Sequence, residues 1–294
     1  MPMPNASLNR AIVPAAPPRY GSLIQSALTP VTGSNDWDGQ RWIGGLSWMP
    51  EACGIGGTHW ICAANAQAAP AKTVNPALIY GTATYKPVTI WTGDICSTVG
   101  KDDIRERAER QLAACESKFI ERELWSGTAS QARADSNAYL AMNGTVDVVG
   151  QNMGYVLGLA ELEQALAECS CGGQGMIHAQ PRLVTHWVHA KLVHREGNAL
   201  YTELGTVVVA GSGYYGTAPA GTAATETKSW AYATGMVTVL RGQMVVVPDD
   251  ISEALNRSTN TVTYRAEREV AAMFDPCCHL GASIDHNTSG VTNS

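Results

Sequence analysis

Residues 102–125 read DDIRERAERQLAACESKFIERELW, and the pattern within them decides how the rest of the chain is read. Ile104, Ala108, Leu112, Cys115 and Phe119 recur at steps of three or four, which lines up one apolar stripe along an α-helix. Asp102 and Asp103 stand at the end where the helix dipole favours negative charge, and Gly127 stands where a helix stops. Glu106 and Arg110 are spaced as a favourable i,i+4 pair, worth ~0.2–0.5 kcal/mol. At 1.5 Å per residue the stretch spans about 36 Å. That length suits a structural spine better than a helix of a small domain.

Upstream of this helix the chain is irregular. Residues 1–45 carry prolines at positions 2, 4, 14, 17, 18 and 30, which break helices and supply no backbone donor. Such a segment is either a disordered terminus or an arm ordered on a neighbour. Trp37, Trp42 and Trp48 are costly to leave in water and favour the arm. Between Gly54 and Gly93, THWICA and TYKPVTIW are rich in β-branched and aromatic residues. They flank the small-residue run AANAQAAPAKTVNP, which predicts an extended hairpin with Pro87 at an edge or bulge.

Downstream, Val156, Leu159, Leu162 and Leu166 share one face of a helix expected from Tyr155 to Cys169, stopped by Gly172 and Gly173. GMIHAQ reads as a short strand, and Pro181 opens a helix running to about Arg195. The remainder is mostly β: LGTVVVAG, WAYATGMVTVL, QMVVVP and NTVTYRAEREVAAMF. In the last of these Val262, Tyr264 and Ala266 alternate with Thr263, Arg265 and Glu267, as a half-buried strand requires. The whole is a mixed α+β chain without an internal repeat.

Composition narrows the function. The 294 residues are 45% hydrophobic and only 16% charged, against roughly 25% charged in an average globular protein. A surface so poor in charge is consistent with burial against copies of itself. The net charge of −6 at pH 7 and the absence of a basic stripe argue against a primary role in binding nucleic acid. The N-terminus MPMPNASLNR has no apolar signal core, and no run approaches the ~20 apolar residues of a membrane span. The eight cysteines are therefore expected in a reducing cytoplasm, mostly as free thiols.

No constellation of catalytic residues stands out. His186 and His189 are three apart on an expected helix but lack an HExxH glutamate and a third ligand. Cys169-Ser-Cys171 and Cys277-Cys278-His279 lack the C-x2–4-C knuckle of structural zinc sites, and buried cysteine otherwise behaves as a small hydrophobe. Gly211-Ser212-Gly213 follows a strand, yet a loop comes next where a nucleophile elbow needs a helix. No GKS or GKT follows the glycines, so they form no phosphate loop. Catalytic, cofactor and metal residues are accordingly expected to be none.

Four segments, taken in order, resemble major capsid proteins of tailed bacteriophages with the Hong Kong 97-type fold, especially those of actinobacterial phages. They are RAERQLAACESKFIERELW (107–125), LYTELGTVVVAGSGY (200–214), WAYATG (230–235) and YRAEREVAAMFDPCCH (264–279). The resemblance covers roughly residues 90–285. It implies an N-terminal arm (1–45), an E-loop hairpin (46–93) and a peripheral domain with the spine helix (94–150). An axial domain (151–240) and a return to the peripheral domain with a C-terminal tail (241–294) complete it, with Thr261 to Ile284 as the returning strand. The loop from Gly211 to Lys228 would be the tip at five- and six-fold axes, with Gly211, Gly213, Tyr214, Tyr215 and Gly216 at the oligomer interface. The arm interface would use Trp37, Trp42 and Trp48.

The same resemblance implies pentamers and hexamers forming an icosahedral head in the virion, assembled in the bacterial host cytoplasm. The partners would be the chain itself, a scaffolding protein, a portal and a decoration protein, with DNA enclosed but not specifically bound and no membrane. The alternatives are an encapsulin-type nanocompartment shell, and a hydrolase using Cys277, Cys278 or His279.

Overall fold

The computed structural model describes residues 21–27, 42–48, 83–97, 103–170 and 173–289. Trp37, the THWICA strand and the tip of the expected hairpin lie outside them. In chain order the first elements are α1 (Leu23–Ser26), β1 (Leu46–Trp48), β2 (Ala83–Tyr85), β3 (Val88–Ser97), α2 (Ile104–Ser126) and α3 (Thr128–Ala132). Next come β4 (Asp147–Gly154), α4 (Tyr155–Cys169), β5 (Gly175–Ala179), α5 (Pro181–His189), β6 (Val193–Glu196), β7 (Ala199–Thr202), β8 (Val207–Ala210) and β9 (Lys228–Gly235). The last are β10 (Thr238–Arg241), β11 (Val245–Val247), α6 (Ile251–Ala254), β12 (Leu255–Asn256), β13 (Thr261–Met273) and β14 (His279–Asp285).

The apolar stripe of the spine is realised in α2. Ile104, Ala108, Leu112, Ile120 and Leu124 are buried at four-residue steps, while Cys115 and Phe119 sit at its partly covered margin. Gly127 closes the helix in the left-handed region at φ 59° and donates its N–H to Glu123 O, as a C-terminal glycine does. A side chain there would collide with the Tyr139 ring.

The spine lies on a sheet built around β13. On one edge β13 pairs with β3 over ten residues; along the other edge β10, β11 and β12 follow one another. Alternation sends Val262, Tyr264, Ala266 and Val270 of β13, with Val88 and Ile90 of β3, into one core with the spine. Buried Glu116 takes Arg268 at 2.6 Å and Arg241 at 3.6 Å, pinning α2 to β13 and β10. The small β1–β2 ribbon closes one end through Trp42, Tyr85, Leu240 and Ala271.

The second sheet has seven strands in the order β4-β14-β9-β5-β8-β7-β6. β5 and β8 are parallel and buried on both faces, and their near-continuous apolar sequences follow from that. On one face α4 and α5 pack Leu159, Leu162, Leu166, Leu183 and Trp187 against Ile177, Val208, Ala233 and Ile284. Met176, Val207, Val209 and Tyr232 join the spine's core on the other side.

Three readings change. The helix opened by Pro181 ends at His189, because Lys191 turns at φ 60° and Val193–Glu196 pairs with Ala199–Thr202 as a hairpin. WAYATGMVTVL is two strands in different sheets, β9 and β10. The segment Thr261 to Ile284 is likewise not one returning strand: β13 belongs to the first sheet and β14 to the second, between β4 and β9.

Candidate functional site

The residues expected at an axial tip converge inside the subunit, on the last turns of the spine. Gly211, Gly213, Tyr214 and Gly216 are buried; of the five, only Tyr215 is exposed, with the Arg122 guanidinium 6.0 Å from its ring centroid. A Cβ on Gly213 would stand 2.3 Å from Lys118 O and 2.6 Å from Arg122 N, so only glycine lets this loop touch the helix backbone. The expectation that these glycines mark a free tip is corrected: they mark close approach to the spine. Before Ala218 only Ser212 and Tyr215 of the loop are exposed, and the longer exposed stretch follows Ala218.

Glu121 is the centre of this junction. It is fully buried, and its two oxygens accept from donors on three segments. Oε1 takes Leu23 N of α1 at 3.0 Å and Ser117 Oγ at 2.9 Å; Oε2 takes Ser212 Oγ and Gly213 N, each at 3.0 Å. The segment bearing α1 is held further by Gly21, which bonds Asn198 O and Ala210 N.

Trp125, one turn on, packs its indole 4.9 Å from both Tyr214 and Tyr232 and donates Nε1–H to Thr217 Oγ1. Beyond it runs a buried relay of fixed direction. Thr234 Oγ1 donates its single proton to Gly235 O, so it must accept from His178 Nε2. His178 Nδ1 is then an acceptor, and the Tyr214 hydroxyl donates to it at 2.9 Å. Burial, and next the charge of His279, lower the His178 pKa to about 3. Burial, and next Glu121, raise that of Tyr214. Both groups are neutral and structural.

The arm residues also pack at home. Trp42 is buried against Tyr85, Leu240 and Ala271, with Trp48 partly buried beside it. Trp42 is therefore covered within the subunit, Trp48 keeps part of its surface open, and Trp37 is outside the described residues.

The hydrolase alternative loses its residues. Cys278 is buried and bonded to Cys169, Cys277 is disulfide-bonded, and His279 Nε2 is engaged by Leu140 O at 2.8 Å. The expectation of free thiols is corrected for these three, while Cys96 and Cys115 are free. Ser229 and His286 make a 2.7 Å pair, but both are buried, which leaves a substrate no access to the hydroxyl. His186 neighbours Tyr155 and His286. Among the described residues no group of three or more ligating side chains could hold a metal, and no helix is long and apolar enough to cross a membrane.

The open surface lies elsewhere. On the sheet face away from the spine, Trp91 is 59% exposed and Ile95 63%, with Val245 and Val247 across β13. Arg265 and Glu267 form an ion pair between the two apolar edges. Period-two alternation in VTIWTGDI carried this signal: bulky residues occur on both faces of β3, although one spine covers only one. The sequence reading did not use it.

The architecture defines a class before any relative is considered: a mixed α+β subunit with a long spine on one sheet and a second sheet beyond the spine's end. Solved structures share that fold over nearly the whole chain. A structure from Gordonia phage Cozz matches at 12% identity and TM-score 0.50, covering 92% of this chain and 88% of that one. The capsid of an empty GTA particle matches at 12% identity and TM-score 0.52, covering 90% of each. A structure from Microbacterium phage Oxtober96 matches at 11% identity and TM-score 0.50, covering 92% and 93%. No family profile and no curated protein sequence matches the chain. The chain shares its fold with the GTA capsid and the two phage structures, in agreement with the fold that the resemblance implies.

Proposed function

We propose that this chain is the major capsid protein of a tailed bacteriophage, of the Hong Kong 97 type, with a structural and not a catalytic role. The observation that carries the reading is the match in fold to the capsid of a GTA particle over 90% of both chains. Pentamers and hexamers of the chain form the icosahedral head of the virion and enclose DNA without reading it. Assembly takes place in the host cytoplasm with a scaffolding protein, a portal and a decoration protein as partners.

The arm (1–45), the hairpin (46–93), the peripheral part (94–150 and 241 to the crossing at 274–278) and the axial part (151–240, joined by β14) divide the labour in this reading. Heterologous contacts repeated around an axis close into rings, and rings joined at their rims close into a shell. The exposed apolar face around Trp91 and Ile95 suits such a contact, since large exposed apolar patches mark interaction sites. Tyr215 and the largely exposed stretch 219–226 remain available to neighbours.

Negative-stain microscopy of the purified chain, alone and with a co-expressed scaffold, tests the proposal. Rings, shells or tubes are expected. A stable monomer across protein and salt concentration with scaffold present would refute it.

A further inference from the structure

Cys169 is the last residue of α4 and Cys278 immediately precedes β14, 109 residues later, yet their Cα atoms are 5.5 Å apart and their sulfurs are bonded. That Cα spacing is what a disulfide requires. Hydrogen bonds position both ends independently of the sulfurs. Ser170 N donates to Leu166 O and Ser170 Oγ to Gly173 O, which pins the end of α4. Asp275 organises the other side, its Oδ1 accepting from Cys277 N at 2.9 Å and its carbonyl from Cys278 N at 3.3 Å. Cys169 Sγ also lies 3.4 Å from Cys277 O, and Cys277 is itself disulfide-bonded.

The location gives the bond its consequence. Residues 274–278 are the crossing of the chain from the β13 sheet to the seven-stranded sheet. A bond from this crossing to α4 ties the helix to the strand it covers and closes a loop containing everything from β5 to β13.

We propose that Cys169 and Cys278 are a redox clasp, open while the subunit is made and assembled and closed afterwards by a low-molecular-weight disulfide. The timing rests on the capsid reading, because a particle released from a reducing cytoplasm meets such an oxidant. Exposure sets the order of events: Cys169 is partly exposed, whereas Cys278 is fully buried. The Cys169 thiolate attacks the small disulfide RSSR, forming a mixed disulfide and expelling one thiolate. The Cys278 thiolate then attacks the Cys169 sulfur and expels the second. The two protein sulfurs lose two electrons, which reduce RSSR to two RSH, and the two thiol protons end on those products.

The test uses the full chain purified under reductant and then treated with oxidised glutathione. After oxidation, alkylation and peptide mapping should find Cys169 and Cys278 linked, while Cys96 and Cys115 remain modifiable. The unfolding midpoint should rise by about 5–10 °C, the scale of one long-loop disulfide in a chain of this size. The bond of Cys277 closes in both chains, so the comparison is between oxidised proteins: oxidised Cys169→Ser should melt about 5–10 °C below the oxidised parent, and oxidised Cys96→Ser should melt with the parent. Cys169 is the residue to change because a serine at buried Cys278 would destabilise the core for its own reason.

Failure of the pair to link, an unmoved midpoint, or zinc bound to these sulfurs in the reduced chain would overturn the clasp. The readout needs no assembly, so the two readings fail separately. Linked cysteines in a chain that never assembles would sink the capsid reading and with it the timing. Shells equally resistant to heat before and after oxidation would sink the clasp alone.

Discussion

Glu121→Ala should open the junction between the spine, the loop at Gly213 and the segment bearing α1. The substitution deletes an acceptor that serves four donors in a fully buried site. The hydroxyls of Ser117 and Ser212 can rotate toward other partners, but the backbone N–H groups of Leu23 and Gly213 cannot. Each such orphan costs about 1–3 kcal/mol, and relief of the carboxylate's own burial offsets part of the sum. A net loss of about 3–5 kcal/mol follows, a large share of the 5–15 kcal/mol that holds a typical domain. Glu121→Gln is the sharper variant, since it keeps the shape and one acceptor oxygen. Its amide N–H2 must then face two donors, so about 2–3 kcal/mol is lost without any change of volume. Urea denaturation gives the total, and hydrogen exchange locates it: protection should fall at residues 21–27 and 211–214 while the core of β13 stays protected. A Glu121→Gln subunit within 0.5 kcal/mol of the parent (about the reproducibility of extrapolated stabilities) would refute the reasoning, because the site would not depend on two acceptor oxygens.

Leu112→Asp should abolish folding by burying an unpaired charge under the spine. Arg110→Ala should cost a few tenths of a kcal/mol, because its pairs with Asp103 and Glu106 are surface pairs; equal melting of the two by circular dichroism would contradict the packing of α2. Acid should destabilise the subunit. The His178 pKa is about 3 when folded against about 6.5 unfolded, so its contribution is complete above pH 6.5 and is lost as pH falls toward 3. About 2 kcal/mol should go between pH 7 and pH 5, with the lowered His279 and His286 adding in the same direction. A stability flat over that range would refute the buried neutral imidazole. Trp91→Ser should leave the melting midpoint within about 2 °C yet raise the concentration needed for assembly at least tenfold, a loss of about 1.4 kcal/mol per contact, read by light scattering. Deleting Pro219–Ala224 should leave circular dichroism unchanged, because Thr217 still holds Trp125 and Tyr232. A change in shell size with that deletion would tie the exposed part of the loop to an axis, and unchanged shells would remove it.

Local periodicity made several elements legible. The helix from Tyr155 to Cys169 matches in both boundaries, and the spine differs by two residues at its start and one at its end. β13 was legible because one face is buried and the other is not. Boundaries failed where a turn had no strong marker. Lys191 takes a left-handed conformation that its side chain does not advertise, so α5 appeared two turns too long. Sheet membership failed for a different reason: β9 and β10 are separated only by Met236 and Val237, and no local property of VTVL tells which sheet it will join.

The misplacement of the Gly211–Gly216 loop has the same physical root. Glycine permits an exposed, mobile turn and an intimate backbone contact equally well, and what distinguishes the two is the partner, here Lys118 O and Arg122 N on a helix about ninety residues earlier in the chain. The aromatic residues inside the loop were the available signal. Tyr214 is too large to be left idle in a flexible tip, and together with Trp125 and Tyr232 it builds the core that joins the two sheets. The low charge of the chain acquires a location through the same logic. Around Trp91, Ile95, Val245 and Val247 the subunit presents apolar side chains to solvent on a sheet whose opposite face is already full. Such a face gains stability by meeting another surface, and in the function proposed above copies of the chain supply it.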